Sequence, residues 1–234
     1  MPHGSEGRAD RQQQPLSGRI KQAARLRVSK DGPYDFSMRA VARDLGVVSS
    51  ALFRYFPTKE DLLGELAADV ARELAEAVDA AIEEAGADPL HQWLAGARAA
   101  RAWALEHRFD FLLVYGYGAR PKEPLEGAFF GIAKSLAGIL DRARRLGRLR
   151  PTAEDHLSAE LFADATFVRL GALPNVSEPV VMRALVGAAS VLGVLSYELF
   201  GHLEGLICSP PQFFELWAQR LAWALGIEDT NARG

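Results

Sequence analysis

The chain has 234 residues, 49% of them hydrophobic and 24% charged, with a formal net charge of −3 at pH 7. These proportions suit an ordinary globular protein and exclude wholesale disorder and a collagen-like repeat. Cys208 is the lone cysteine, which excludes an internal disulfide and a cysteine-rich zinc site.

Residues 1–15 are polar and have no apolar core segment of a secretory leader, so a disordered tail is expected there. Leu16 to Lys30 then reads as a helix, with Leu16, Ile20 and Ala23/Ala24 on one side, stopped by Asp31-Gly32-Pro33. Ser37 is placed to cap a second helix, Met38 to Leu45, which Gly46 ends. A third helix is expected from Ser49 to about Phe56, where Pro57 interrupts. Thr58 caps a fourth, with Asp61 in the capping-box position. Its Leu62, Leu63, Leu66, Val70, Leu74 and Val78 keep a 3–4 spacing that carries the helix to about Ala85.

After Gly86-Ala87-Asp88-Pro89, further helices are expected at 89–106, 108–117, 123–146, 154–170, 177–204 and 210–225, separated by Gly- and Pro-bearing segments. The longest apolar run, Leu185 to Phe200, falls short of a membrane span and contains Ser190, Ser196 and Glu198, so no membrane partner is expected. Nothing reads as sheet. The fold class is all-α: a three-helix head over 16–58, a connecting helix over 59–85, an antiparallel helical bundle over 86–226 and a loose tail over 227–234.

The charge is uneven along this layout. Residues 1–60 carry eleven Lys/Arg against six Asp/Glu, a local balance of +5, and the remainder carries sixteen against twenty-four, or −8. A basic head on an acidic body suits a polyanion partner. The two short helices joined at Leu45-Gly46-Val47 have the size and turn of a helix-turn-helix, with Gly46 supplying the compact residue the turn needs. In such a unit the second helix enters the major groove. Ser49, Ser50 and Ala51 allow close approach there, Arg54 and Tyr55 offer polar reach, and Lys59 with the next helix's amides suits a phosphate.

Little suggests catalysis. His3, His91, His107, His156 and His202 form no H-E-x-x-H pair, and no phosphate-binding glycine loop or G-x-S-x-G elbow is present. No cofactor and no metal are expected, and Cys208 reads as a plain thiol.

The stretch FSMRAVARDLGVVSSALFRYFPTKEDLLGEL (36–66) resembles the DNA-binding domain of the TetR/AcrR family of transcriptional regulators. The resemblance rests on Ser37-Met38, Val41-Ala42, Leu45-Gly46-Val47, Ala51-Leu52, Tyr55-Phe56, and Lys59 before Leu62-Leu63, and extends over about residues 16–70. A looser likeness, to the penultimate helix of many members, runs through LGVLSYELFG (192–201). The family pattern implies DNA contacts from Ser37, Arg39, Ser49, Ser50, Ala51, Phe53, Arg54, Tyr55 and Lys59. Two departures stand out: Val48 replaces a customary Ser or Thr, leaving Ser49 to take the cap, and Phe53 replaces a customary Tyr.

The resemblance also implies a homodimer on double-stranded DNA in the cytoplasm, most simply a repressor released from a pseudo-palindromic operator by a small apolar or amphipathic effector. Tyr115, Tyr117, Phe130 and Phe167 are the expected pocket residues. Leu185, Ala189, Leu192, Ser196 and Leu199, with Phe213, Trp217 and Leu221, are the expected dimer face. The alternative is a non-catalytic helical interaction module with a repurposed helix-turn-helix.

Overall fold

The structure is a computed structural model that describes residues 15–116, 128–152 and 176–229. Among the described residues the chain runs through α1 (Leu16–Asp31), α2 (Met38–Leu45), α3 (Ser49–Phe53), α4 (Lys59–Glu84), α5 (Pro89–Glu106) and α6 (Arg108–Phe111). A π-helical turn, Leu112–Gly116, follows, then α7 (Ala128–Arg145), α8 (Glu178–Leu199) and α9 (Pro210–Ala224). No strand is found among these residues; the sole β-bridge pairs Leu149 with Ile227. The helix expected at 154–170 lies outside the described residues.

Three elements differ from expectation. The third helix stops at Phe53 because Phe56 turns inward, 7% exposed, and the residue before Pro57 is disfavoured in α geometry. The stretch from 108 divides into α6 and the π-helical turn, a form that breaks the regular ladder. Helix α8 ends at Leu199, short of residue 204, with Gly201 in the left-handed region just beyond it. Ile227, expected to open a loose tail, is instead buried, and Glu228 N–H bonds the Arg148 carbonyl at 3.1 Å.

The chain divides into two compact units, one of Met1–Val70 with His107–Gly127 and the other of Ala71–Glu106 with Ala128–Gly234. The division falls at Val70/Ala71, within the segment 59–85 expected to connect head and bundle, and the segment from His107 groups with the head. In the head, Ile20, Ala24 and Val28 of α1 meet Val41 and Ala42 of α2, Leu52 of α3, Leu62, Leu63 and Leu66 of α4, and Leu113 of the π-helical turn. Each large side chain so buried contributes about 1.5–3 kcal/mol. Helix α3, too short to persist alone, is held by Leu52 in that core.

In the second unit α8 packs closely on α7: a Cβ at Gly187 would clash with the tip of the Leu136 side chain, which would have to shift to admit a larger residue. Trp93 of α5 donates its indole N–H to the Ala218 carbonyl of α9 at 2.8 Å. Arg98 forks onto Glu215 and Arg101 onto Glu198. By length and composition alone α8, Glu178–Leu199, is long and apolar enough to cross a membrane, a longer segment than the Leu185–Phe200 run read from the sequence. Its Val180, Ala184, Ala188, Val191, Leu195 and Leu199 are buried among the chain's own helices.

Candidate nucleic-acid interface

The turn between α2 and α3 is built by its backbone. Gly46 has φ +66°, a left-handed conformation that side chains strain. Val47 N–H then reaches back to the Ala42 carbonyl at 3.0 Å, closing α2 with the six-to-one bond of a Schellman turn. Leu45 and Val47 pack on the head core, as their spacing predicts.

Ser37 occupies the N-cap of α2 in extended conformation, yet its side chain makes no capping bond. At α3 the cap position belongs to Val48, whose side chain caps nothing; Ser49 is the first helical residue and does not take over that role. The capping box of α4 forms as its spacing predicts: Asp61 N–H donates to Thr58 Oγ1 at 3.0 Å and Thr58 N–H donates to Asp61 Oδ2 at 3.1 Å.

The residues expected at DNA gather on this part of the head. Ser37, Arg39, Ser50, Phe53, Arg54 and Tyr55 are exposed; Ser49, Ala51 and Lys59 are half-buried. Phe53 is 41% exposed, so its ring is outside the core. Lys59 leans its ammonium toward the Tyr34 carbonyl, 3.3 Å away, and over the Phe36 ring at 5.7 Å, which fixes a positive charge where α4 begins. Arg43 adds another exposed cation one turn after Arg39 on α2. Sequence reasoning passed over it, although the i, i+4 spacing was available as a signal.

One acidic group of the head, Asp44, is tied down. Asp44 accepts two hydrogen bonds from Arg27 of α1, at 2.6 and 2.7 Å, and this pairing holds its carboxyl below the usual range. The same bonds raise the Arg27 guanidinium and lock α1 to α2. With Asp44 matched, Arg39, Arg43, Arg54 and Lys59 supply positive charge that phosphate contacts can use, with the exposed carboxylates Asp35 and Glu60 nearby in sequence.

Comparison with known proteins agrees with this geometry. The model for bacterial regulatory proteins of the tetR family matches residues 20–66, and that for the tetracyclin repressor-like C-terminal domain matches residues 93–221. HTH-type transcriptional regulators of Mycobacterium tuberculosis and Mycobacterium bovis are 31% identical over 212 residues, covering 84% of this chain and 86% of their own. The chain belongs to the TetR family. It is a DNA-binding transcriptional regulator. Among solved structures, a protein of unknown function from Rhodococcus sp. RHA1 aligns with TM-score 0.69 at 21% identity, over 96% of this chain and all of its own. RolR in complex with resorcinol aligns with TM-score 0.60 at 16% identity, over 93% of this chain and 90% of its own. Both likenesses are of fold.

The second unit of this TetR-family regulator has a partly open cavity of about 20 Å³ between Val78 and Ile82 of α4, Trp93 and Gly96 of α5, Ile132, Ser135 and Leu136 of α7, and Val191 of α8. Tyr115 is not among the residues that line this cavity. Its ring packs on Phe111 with centroids 4.5 Å apart, and its hydroxyl is buried without a hydrogen-bond partner. That burial pushes the phenol well above its ordinary value. Tyr117, Phe167 and the side chain of Phe130 lie outside the described residues. Trp93 is buried and lines the cavity beside Gly96, Ala97 and Ala100.

Of the residues expected at a dimer face, Ala189 is exposed, and Leu185, Leu192, Ser196, Phe213, Trp217 and Leu221 are half-buried. Leu199 is 4% exposed: it packs within its own protomer and is withdrawn from that face. Exposed apolar side chains on the same helices are Val186, Tyr197, Leu216 and Trp223.

Proposed function

We propose that this regulator is a homodimer that reads a pseudo-palindromic operator and is released from it by a small, largely apolar effector. The observation that carries the reading is the pairing of a reading head with apolar surface left uncovered on α8 and α9. Val186 is 42% exposed, Tyr197 58%, Leu216 56% and Trp223 66%. Exposed apolar side chains that group into a patch mark association surfaces, although the Trp223 ring already carries the Arg150 guanidinium 4.5 Å above it. An isologous contact through α8 and α9 carries two heads, and two heads on one duplex face require half-sites about 34–36 Å apart or a multiple of it.

The effector enters the cavity of the second unit. That space holds about one water-sized body as it stands, so a larger occupant must displace its walls. Two wall residues, Val78 and Ile82, belong to α4, the helix that begins at Lys59 beside the reading surface. Occupancy biases α4 and with it the population of heads spaced for the operator. The wall is apolar except for Ser135, which suits a neutral molecule; RolR, a relative in fold, is described with resorcinol. DNA, a second copy of the chain and such an effector are the proposed partners. The protein performs no catalysis and works in the bacterial cytoplasm.

Sedimentation of the free protein together with fluorescence anisotropy on a selected operator tests the reading. Two protomers per site, released by a neutral aromatic such as resorcinol or a larger apolar analogue, support it. A monomer that binds DNA alone removes the dimer, and a complex indifferent to a broad neutral panel removes the effector.

A further inference from the structure

Val48 stands apart in the reading head. Its backbone is extended at φ −69° and ψ 141°, and its carbonyl accepts the Ala51 N–H at 3.0 Å, so it is the residue from which α3 starts. Side chains favoured there carry an oxygen that satisfies a free backbone N–H; valine has none. Nor does Val48 serve the core, since it is 70% exposed while Leu52, four residues on, is fully buried. An isopropyl group at this position contributes neither a cap nor packing.

The remainder of α3 narrows what the element can read. Ser49, Ser50, Ala51, Leu52 and Phe53 include no Arg, Lys, Asn or Gln, the side chains that grip guanine or adenine edges by paired hydrogen bonds. Serine hydroxyls suit donors and acceptors alike. Among major-groove features, the one that an exposed branched apolar side chain matches is the C5-methyl group of thymine. Arg39, Arg43 and Arg54 flank α3 and supply positive charge for register.

We propose that Val48 is a specificity-determining residue that selects thymine, through its methyl group, at one position of each operator half-site. The proposal rests on the operator-binding reading above and deepens it by naming the base feature recognised.

The test starts with selection of a preferred site from random DNA by the full-length protein. Each thymine of that site is then replaced singly by deoxyuridine, which deletes only the methyl group. Affinity should fall about fourfold at one thymine per half-site, the value of one buried methyl. Val48→Ser should bind the thymine and uracil duplexes equally and melt no lower than the parent chain. Val48→Thr, which keeps one methyl group, should retain part of the discrimination. Full affinity for every uracil duplex, or an undiminished loss in Val48→Ser, overturns the role of Val48 while leaving operator binding intact. Failure to select any preferred site overturns the operator reading as well.

Discussion

Arg25 of α1 donates two hydrogen bonds to one carboxylate oxygen of Asp110, from Nη2 at 2.8 Å and from Nε at 3.1 Å. Asp110 lies within the stretch matched to the C-terminal domain of the family, yet its partner is on the first helix of the head. Leu113, three residues on, is 1% exposed in the head core. Residues from the stretch matched to the C-terminal domain thus complete the packing of the DNA-reading unit.

Removing that partner takes two charge-assisted hydrogen bonds from a half-buried guanidinium. Asp110→Ala is expected to lower stability by about 1–3 kcal/mol, measured by urea unfolding. Asp110→Asn, which keeps an acceptor for Arg25, should fall less. Unchanged unfolding midpoints in both variants would show that the pair contributes nothing.

Lys59 is expected to serve a phosphate rather than a base. Lys59→Ala should weaken binding to specific and scrambled DNA alike, and should lower the slope of log affinity against log salt by about 1 for each phosphate that the lysine neutralises. Anisotropy titrations over a salt series give the slope. A weakened complex with the same slope would assign Lys59 to support of the Tyr34 carbonyl instead.

Asp88 provides a pH-dependent prediction in the second unit. Burial alone would raise its carboxyl, but the His91 amide and the Arg148 guanidinium favour the ionised form and together hold it below the usual range. A carboxylate held low in the folded chain stabilises above its unfolded value near about 4, and this contribution is lost as pH falls through the folded value. Asp88→Asn keeps an oxygen for the Leu90 and His91 amides and drops the charge facing Arg148. It should cost about 1–2 kcal/mol at neutral pH, with the gap to the parent narrowing below about pH 4. Thermal melts at several pH values test this; a gap that persists undiminished in acid would point to packing rather than charge.

The exposed apolar side chains of α8 and α9 predict a dimer that a single charge can split. Val186→Asp and Leu216→Asp place a carboxylate on exposed positions and leave the protomer core untouched. If either residue is central to the contact, dissociation should rise by roughly 30-fold or more, read by sedimentation, with operator affinity falling in parallel. A dimer unaffected by both changes would place the interface elsewhere.

Much of this was legible in the sequence because local rules decided it. Gly46 between two short amphipathic helices, and Thr58 with Asp61 three residues on, specify a turn and a cap through backbone chemistry that needs no tertiary context. The length of α3 was not legible, because Phe56 leaves the helix to fill the core of a unit assembled from distant segments. Leu199 has the helical spacing of an interface residue, and periodicity alone does not tell a face turned to a partner protomer from one turned to its own bundle. The cavity escaped notice for a related reason: Gly96, Ala97 and Ala100 mark it by the volume they lack, beside side chains more than thirty residues away in the sequence, such as Ile132 and Leu136.

The most direct measurement is the binding of the full-length protein to genomic fragments, selected and then titrated by fluorescence anisotropy against scrambled sequence. Saturable, sequence-selective binding with two protomers per site, abolished by Arg39→Ala combined with Lys59→Ala, is the expected result. Equal affinity for selected and scrambled DNA, with no fragment enriched, would contradict sequence reading by this helix-turn-helix.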